Sequence, residues 1–535
     1  MWRVKSLDAI LATAEKKSLH RSLGPIQLTL LGVGAIIGTG IFVLTAAAAQ
    51  KAGPGMMWSF VIAGAVCAVA ALCYSELASM APVSGSAYTY TYAVMGELLA
   101  WMVGWALILE YAVAASAVSV GWSGYVLGLI ENALGFDWPD LLQAGPAWTM
   151  NGFIPTPDFS MGIVNIPAIV VALSVTALLM VGTTESARVN AVLVVIKVAA
   201  LTAFVVLTLP VLKADNFTPF MPNGLFGSSS GMGIVGAAAS IFFAYVGFDA
   251  VSTAAEETKN PQRNVPIGLI GSLAICTIFY LFVAAGAVGA IGAQPVLGAD
   301  GSAVQPGSAA FMAACALAEN ANQLVCSNEA LAHVLREINY PAVGNMLGTA
   351  AMIALPSVIL MMIFGQTRIF FVMARDGLLP ASFAKVHPKW KTPYIVTAFT
   401  GVAVAIAGAL FPVGQLADIS NSGTLFAFFM VSLAVLILRV KEPNRKRPFR
   451  TPLVWLFAPL SAFGCAFLFW NLPHDAKMVL PIWGGIGLVV YLLYGMRKSH
   501  LGRGIIDVPE LHADAPPGPV PPMPGAPSPT DRKDD

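Results

Sequence analysis

The chain has 535 residues, of which 57% are hydrophobic and 11% charged, against roughly 25% charged in an ordinary soluble domain. With a mean hydropathy of +0.75, this composition excludes a soluble globular protein and predicts a chain that crosses a membrane repeatedly. A formal net charge of +1 gives no ground for a nucleic-acid partner.

Residues 1–26 read as a cytoplasmic N-terminus. Met1–Ser22 is polar and charged and lacks a continuous apolar stretch, so no cleavable leader is predicted. Within it, Ser6–Lys17 is predicted to form a short amphipathic helix with Leu7, Ile10, Leu11 and Ala14 on one face. It would rest on anionic headgroups that attract Lys16 and Lys17.

Twelve apolar runs follow, each near or above the roughly 20 residues that a helical span needs. They are Gln27–Gln50, Met57–Met80, Gly96–Leu134, Ile163–Thr183, Arg188–Leu212, Gly231–Glu257, Ile267–Gly292, Pro341–Met373, Tyr394–Phe411, Ala417–Arg439, Leu453–Asn471 and Met478–Met496. The third and eighth are too long for one upright span and are predicted to tilt strongly or to carry an interfacial turn. Lys and Arg crowd the termini and alternate connections, for example Arg375, Lys385 and Lys389, then Lys441, Arg445, Lys446 and Arg447. The opposite side holds only Lys51, Lys213, Arg336 and Lys477, and Lys197 falls within a span. The positive-inside rule then predicts twelve spans with both termini cytoplasmic.

The first run contains Leu31–Phe42, in which Gly32, Gly34, Gly38 and Gly40 recur within nine residues. Two readings fit. Gly34 and Gly38 form a GxxxG helix-packing pair, or the helix breaks here and its freed backbone groups bind a small ligand. The sixth run is interrupted too, around Phe243, Gly247 and Asp249, where Asp249 is predicted to cap the N-terminus of a second half-helix. Two breaks five spans apart favour the binding-site reading. They point to two five-helix inverted repeats, 27–212 and 231–439, with the site between them. Residues 453–496 then supply helices 11 and 12, and the Pro-rich segment 497–535 is a cytoplasmic tail predicted to be disordered.

Between the seventh and eighth runs, Ala293–Tyr340 forms a long connection predicted to be extracytoplasmic. Its Cys315 and Cys326 suit either a disulfide or two free thiols on a half-buried helix. Cys67, Cys73, Cys276 and Cys465 sit in apolar runs and read as small packing residues. No CxxC or His/Cys cluster suggests a metal, and no intramembrane His relay is visible. No nucleophile–base constellation and no Walker sequence is present either. The expectation is a non-enzymatic protein without a cofactor that is not driven by ATP.

The motifs resemble those of the amino acid–polyamine–organocation (APC) superfamily of transporters, most closely the bacterial cationic amino acid transporters. The resemblance starts at Leu7–Leu11 and runs through Leu30–Val43, Tyr74–Ala78, Pro82–Tyr88, Gly104–Tyr111 and Phe242–Val251. Glu256–Pro261 and Gly365–Pro380 complete it, so it covers roughly the first 440 residues in family order. The long loop near Cys315 and the Pro-rich tail depart from it.

This resemblance implies an all-α, leucine-transporter-like membrane fold with broken helices 1 and 6. It also implies where an α-amino acid sits: Ile37, Gly38, Thr39, Gly40 and Ile41 for the carboxylate, and Phe243, Ala244 and Val246 for the amine. The chemistry agrees, because free N–H groups at a half-helix start suit an anion and free carbonyls suit an ammonium. The Phe243 ring reads either as an aromatic gate or as plain packing. Lys197 lies on the order of 10 Å into the fifth span by helix rise. It either snorkels to the headgroups or stands buried near the first and eighth spans, and a buried lysine titrates readily enough to couple proton movement. Glu110, deep in the third span, is expected to line the site, without a more particular role. Met361 and Met362 border the side-chain pocket or fill gaps, and Glu256, Glu257, Lys259 and Arg263 form a cytoplasmic gate or a solvated helix end.

The expected function is a secondary transporter that imports an α-amino acid across the bacterial inner membrane by proton symport with alternating access. The proton is the coupling ion and the lipid bilayer the surroundings; the sequence neither indicates nor excludes a small accessory membrane subunit. The alternatives are an exchanger, a polyamine or amine transporter, and, as a different class, a receptor that binds amino acids without moving them.

Overall fold

At membrane depth every backbone polar group must find a partner within the chain, and a helix achieves this segment by segment. The computed structural model shows helix after helix at the apolar runs. It describes residues 3–5 and 23–504, except 83–84, 137, 152–153, 160–161, 183–186, 228–230, 256–257, 300, 321 and 391. The expected amphipathic helix Ser6–Lys17, the pair Glu256 and Glu257, and the tail beyond Asp507 lie outside the described residues.

The first apolar run holds three pieces, α1 (Pro25–Ile36), α2 (Thr39–Phe42) and α3 (Leu44–Ala52). Pro25 occupies the first turn of α1, where its missing N–H costs nothing. Next come α4 (Met56–Met80), the short α5 (Ser86–Val94) and α6 (Glu97–Leu134), which ends at Gly135 in the left-handed conformation that closes many helices. A hairpin of β1 (Ala147–Asn151) and β2 (Ile154–Asp158) leads to α7 (Ile166–Val181). The side chain of Asn165 caps α7 by accepting from Ala168 N–H at 3.0 Å. Then follow α8 (Ala187–Thr208), α9 (Gly233–Ile241), a 3₁₀ turn over Phe242–Tyr245, α10 (Ala250–Thr253) and α11 (Pro261–Ile291). The long connection contributes α12 (Ala309–Cys315) and α13 (Ala330–Glu337). Then come α14 (Pro341–Arg375), α15 (Tyr394–Leu410), α16 (Val413–Lys441), α17 (Val454–Trp470), α18 (His474–Val490) and the short α19 (Met496–Lys498).

Among the described residues, 7 helices are long and apolar enough to cross a membrane: Leu44–Met80, Glu97–Asn132, Ala191–Val211, Pro261–Ile291, Pro341–Arg375, Val413–Lys441 and His474–Lys498. Shorter apolar helices occupy Pro25–Ile36, Ile166–Val181, Gly233–Tyr245, Tyr394–Leu410 and Val454–Trp470. The two overlong runs are single unbroken helices of 38 and 35 residues, α6 and α14, with no interfacial turn. At 1.5 Å per residue, α6 is about 57 Å long.

The β1–β2 hairpin is the one pair of strands in the helical chain among the described residues. It pairs Ala147–Asn151 with Ile154–Asp158 in the connection between α6 and α7. In the long connection Cys315 and Cys326 are joined, with Cα atoms 5.5 Å apart, within the range a disulfide spans. Of the two readings left by the sequence, the bonded one holds.

Apolar side chains point outward as well as inward. Val170, Leu173 and Leu178 of α7, Val192, Val195 and Val206 of α8, and Leu456, Leu460 and Phe463 of α17 are all exposed. Rows of exposed Val, Leu and Phe on this scale mark a surface meant for lipid. The interior is correspondingly polar in places. Glu76 on α4 is buried and accepts from Arg439 Nε and a terminal Arg439 nitrogen at 2.8 Å each, from Arg447 Nε at 3.2 Å and from Thr451 N–H at 2.8 Å. One carboxylate thus fastens α4, the end of α16 and the connection to α17. Replacing Glu76 by Gln leaves two guanidinium groups without their counter-charge, and the expected cost is about 3–5 kcal/mol. A lowered thermal unfolding midpoint of the detergent-solubilised protein checks it.

Candidate functional site

The first break is short. α1 ends at Ile36; Ile37 (φ −71°, ψ 96°) and Gly38 (φ −146°, ψ −151°) are extended, and the helix resumes at Thr39. Its first backbone bonds run from Phe42 N–H to Gly38 at 3.4 Å and from Val43 N–H to Thr39 at 2.9 Å. Among the described residues, the N–H groups of Gly38, Thr39, Gly40 and Ile41 therefore donate to no backbone carbonyl. They are the orphan donors of a helix start, on buried residues. The carbonyls freed on the other side of the break have partners. Gly34 O accepts from Lys197 Nζ at 2.8 Å, and Ile36 O lies 2.9 Å from the Tyr280 hydroxyl.

The second break is longer. After α9 the chain tightens into the 3₁₀ turn, Val246 extends (φ −60°, ψ 137°) and Gly247 turns at φ +113° before α10 begins. Phe243 O accepts from Val246 N–H at 3.1 Å, and Ala244 O lies 2.9 Å from the same Tyr280 hydroxyl. That hydroxyl has one proton to share between a carbonyl of each break.

Two glycines bring the breaks into contact. A Cβ on Gly40 would lie 2.3 Å from Ala244 Cα, so only glycine permits this approach. A Cβ on Gly247 would lie 3.0 Å from Ala35 O, and its positive φ independently favours glycine. By contrast, a Cβ on Gly38 would make an ordinary contact of 3.5 Å with Val358.

The structure therefore juxtaposes Ile37, Gly38, Thr39, Gly40 and Ile41 with Phe243, Ala244 and Val246, all buried. Lys197, only 1% exposed, does not snorkel. It reaches Gly34 O on α1 and lies 3.4 Å from Ser357 Oγ on α14, the first and eighth apolar segments.

Glu110 is fully buried, and neither carboxylate oxygen has a hydrogen-bond partner among the described residues. Its backbone carbonyl accepts from Ser420 Oγ at 3.2 Å, and Gly423 packs beside its Cβ. Glu110 thus faces α16, and among the described residues no hydrogen bond joins it to either broken segment. Its neighbour Tyr111 makes the connection instead, donating to Asp249 Oδ2 at 2.8 Å.

That bond corrects one expectation. Asp249 stands at the cap position of α10, but its side chain accepts no bond there. Its backbone is helical (φ −64°, ψ −25°) rather than extended, as side-chain capping requires. Ser252 N–H accordingly bonds the Asp249 carbonyl at 2.9 Å.

Sequence reasoning missed Tyr280 and Asn421, which donates to Ala239 O and Ser240 O at 2.8 and 2.9 Å. Asn421 carried a usable signal, a polar amide inside an apolar run. Tyr280 carried none, because a lone tyrosine in such a run reads as packing.

Comparison with known proteins gives a consistent neighbourhood. A family model described as "Amino acid permease" matches residues 23–492. A branched-chain amino acid permease of Bacillus subtilis is 43% identical over 504 residues, covering 94% of this chain and 99% of that protein. A methylthioribose transporter of the same organism is 39% identical over 506 residues, with the same coverage of 94% and 99%. A vacuolar cationic amino acid transporter of Arabidopsis thaliana is 34% identical over 455 residues, covering 83% of this chain and 64% of that protein.

Proposed function

Because the chain belongs to the amino acid permease family of the APC superfamily, we propose that it imports an α-amino acid by proton symport, through alternating access. Family membership makes it an integral membrane transporter rather than an enzyme. The finer reading is ours: twelve crossings, two inverted five-helix repeats (27–212 and 231–439) before helices 11 and 12, and both termini on the cytoplasmic side of a bacterial inner membrane.

The observation that carries the reading is the row of unclaimed N–H groups at Gly38–Ile41, pressed against the carbonyl-bearing turn Phe243–Val246. A zwitterion needs both in one place: donors for the carboxylate, acceptors for the ammonium. In this mechanism the N–H groups of residues 38–41 hold the carboxylate. The carbonyls of Phe243, Ala244 and Val246 hold the ammonium through the second lone pair each retains. The backbone thus reads what all α-amino acids share and leaves the side chain to the surrounding pocket, which the Phe243 ring covers. Lys197, when protonated, ties the end of α1 to α14; releasing its proton loosens Gly34 and lets the first segment move. Glu110 lines the neighbouring face of α6, against α16.

Leucine, isoleucine and valine are the first substrates to try, since a relative at 43% identity is named for branched-chain amino acids. Vesicles reconstituted with the protein are expected to accumulate labelled leucine under an inward proton gradient and not without one. Absence of uptake across all amino acids would sink the reading. The methylthioribose transporter at 39% identity supports a second reading, a substrate lacking the zwitterion. Methylthioribose uptake that leucine fails to compete with would establish it.

A further inference from the structure

Beside the second break lies a polar cluster that the proposed cycle leaves unused. α9 ends at Ile241, and Asn421 of α16 holds the carbonyls of Ala239 and Ser240 at 2.8 and 2.9 Å. Nearly one turn earlier on α16, Asp418 Oδ2 receives the ammonium of Lys51 at 3.0 Å. The same ammonium donates to Ser240 Oγ. Lys51 arrives from α3, the continuation of the first broken segment. All four side chains are more than nine-tenths buried.

Two acceptors in this cluster have no donor among the described residues, Asp418 Oδ1 and Asn421 Oδ1. The polarity of the nest is one-sided. It offers a carboxylate, an amide oxygen, a hydroxyl and the carbonyl end of a helix, whose pole is negative. An ammonium has three donors to give and no acceptor, so it is the group such a nest suits, and Lys51 reaches only part of it. The nest also borders the 3₁₀ turn on which the ammonium-binding carbonyls of Phe243 and Ala244 stand, two residues beyond Ser240 and its α9 carbonyl.

We propose that Ser240, Asp418 and Asn421 form an outer subsite for the α-ammonium of an incoming amino acid, which Lys51 fills when substrate is absent. The inference rests on the transport reading above. Lysine and substrate carry the same primary ammonium, so one replaces the other without changing the charge of the nest. The displaced Lys51 then faces the substrate carboxylate. From there the substrate ammonium passes to the carbonyls of Phe243 and Ala244, and Lys51 returns to close the way behind it.

The test uses propylamine, a primary ammonium without a carboxylate, against leucine uptake. Lys51→Met removes the resident ammonium and keeps its apolar stem. Propylamine is expected to inhibit K51M at a concentration about tenfold below that needed for wild type, a difference of one decade in affinity. The added D418N change in K51M/D418N is expected to erase the gain, and propionate to inhibit all three proteins equally. Equal propylamine sensitivity of wild type and K51M overturns the subsite. Binding of labelled propylamine to purified K51M and wild type needs no transport, and equal binding overturns the subsite in the same way. Wild-type vesicles that take up no amino acid overturn the transport reading instead. Asp418→Asn alone covers the case in which K51M does not fold. It is expected to raise KM for leucine about tenfold with little change in kcat, and an unchanged KM overturns the subsite.

Discussion

Replacing Gly40 by alanine is expected to lower leucine uptake about ten- to a hundredfold, with the protein still folded in the membrane. The new Cβ would lie 2.3 Å from Ala244 Cα, a backbone atom that cannot turn aside as a side chain can. The two breaks must therefore part, and overpacking of this kind costs about 1–3 kcal/mol. At about 1.4 kcal/mol per decade, that translates into the stated loss if the separation spoils the productive geometry. Gly38→Ala is the informative companion, since its Cβ would meet Val358 at an unremarkable 3.5 Å. The expected order is a severe loss for Gly40→Ala and a milder one for Gly38→Ala, read from initial uptake rates normalised to protein in the membrane. Equal rates for the two variants would show that contact between the breaks does not matter for uptake.

The second large effect is expected at Lys197. Replacing it by alanine removes the donor to Gly34 O and the neighbour of Ser357. The buried carbonyl left behind costs about 1–3 kcal/mol, but the greater consequence falls on coupling. Lys197→Ala is expected to abolish accumulation of leucine above the external concentration under an inward proton gradient. Exchange of leucine for leucine across the same vesicles is expected to survive, because the backbone groups proposed to hold the zwitterion are intact. Accumulation with an unchanged pH profile would remove Lys197 from the coupling role.

What the sequence made legible were features written locally. Gly32 to Gly40 announced a break because glycine density at membrane depth is costly without a purpose. The spacing to Phe243–Asp249 made the two breaks a pair. Counting residues into its run gave Lys197 a depth but left snorkelling open; the resemblance favoured a place near the first and eighth segments, where its partners Gly34 and Ser357 lie. What stayed hidden depended on partners far away in the chain. Glu76 stood in a recognisable motif, yet its guanidinium partners come from Arg439 and Arg447, more than 350 residues later. Lys51 read as a residue of a connection, whereas Asp418 draws it inside. Asp249 was misjudged for a different reason. Local pattern made it a cap, while Tyr111 on another helix offered its side chain a buried hydroxyl.

Tyr280 gives this arrangement a property of its own. A single phenolic proton lies within reach of Ile36 O and Ala244 O, each at 2.9 Å. The end of α1 and the 3₁₀ turn after α9 are therefore buttoned to α11 through one atom, and they cannot part from each other without one carbonyl giving up its share. A shift that carries α1, α9 and α11 together preserves the button, and a shift of either break alone undoes it. The phenol thus favours motions in which α1, the turn after α9 and α11 travel as one block.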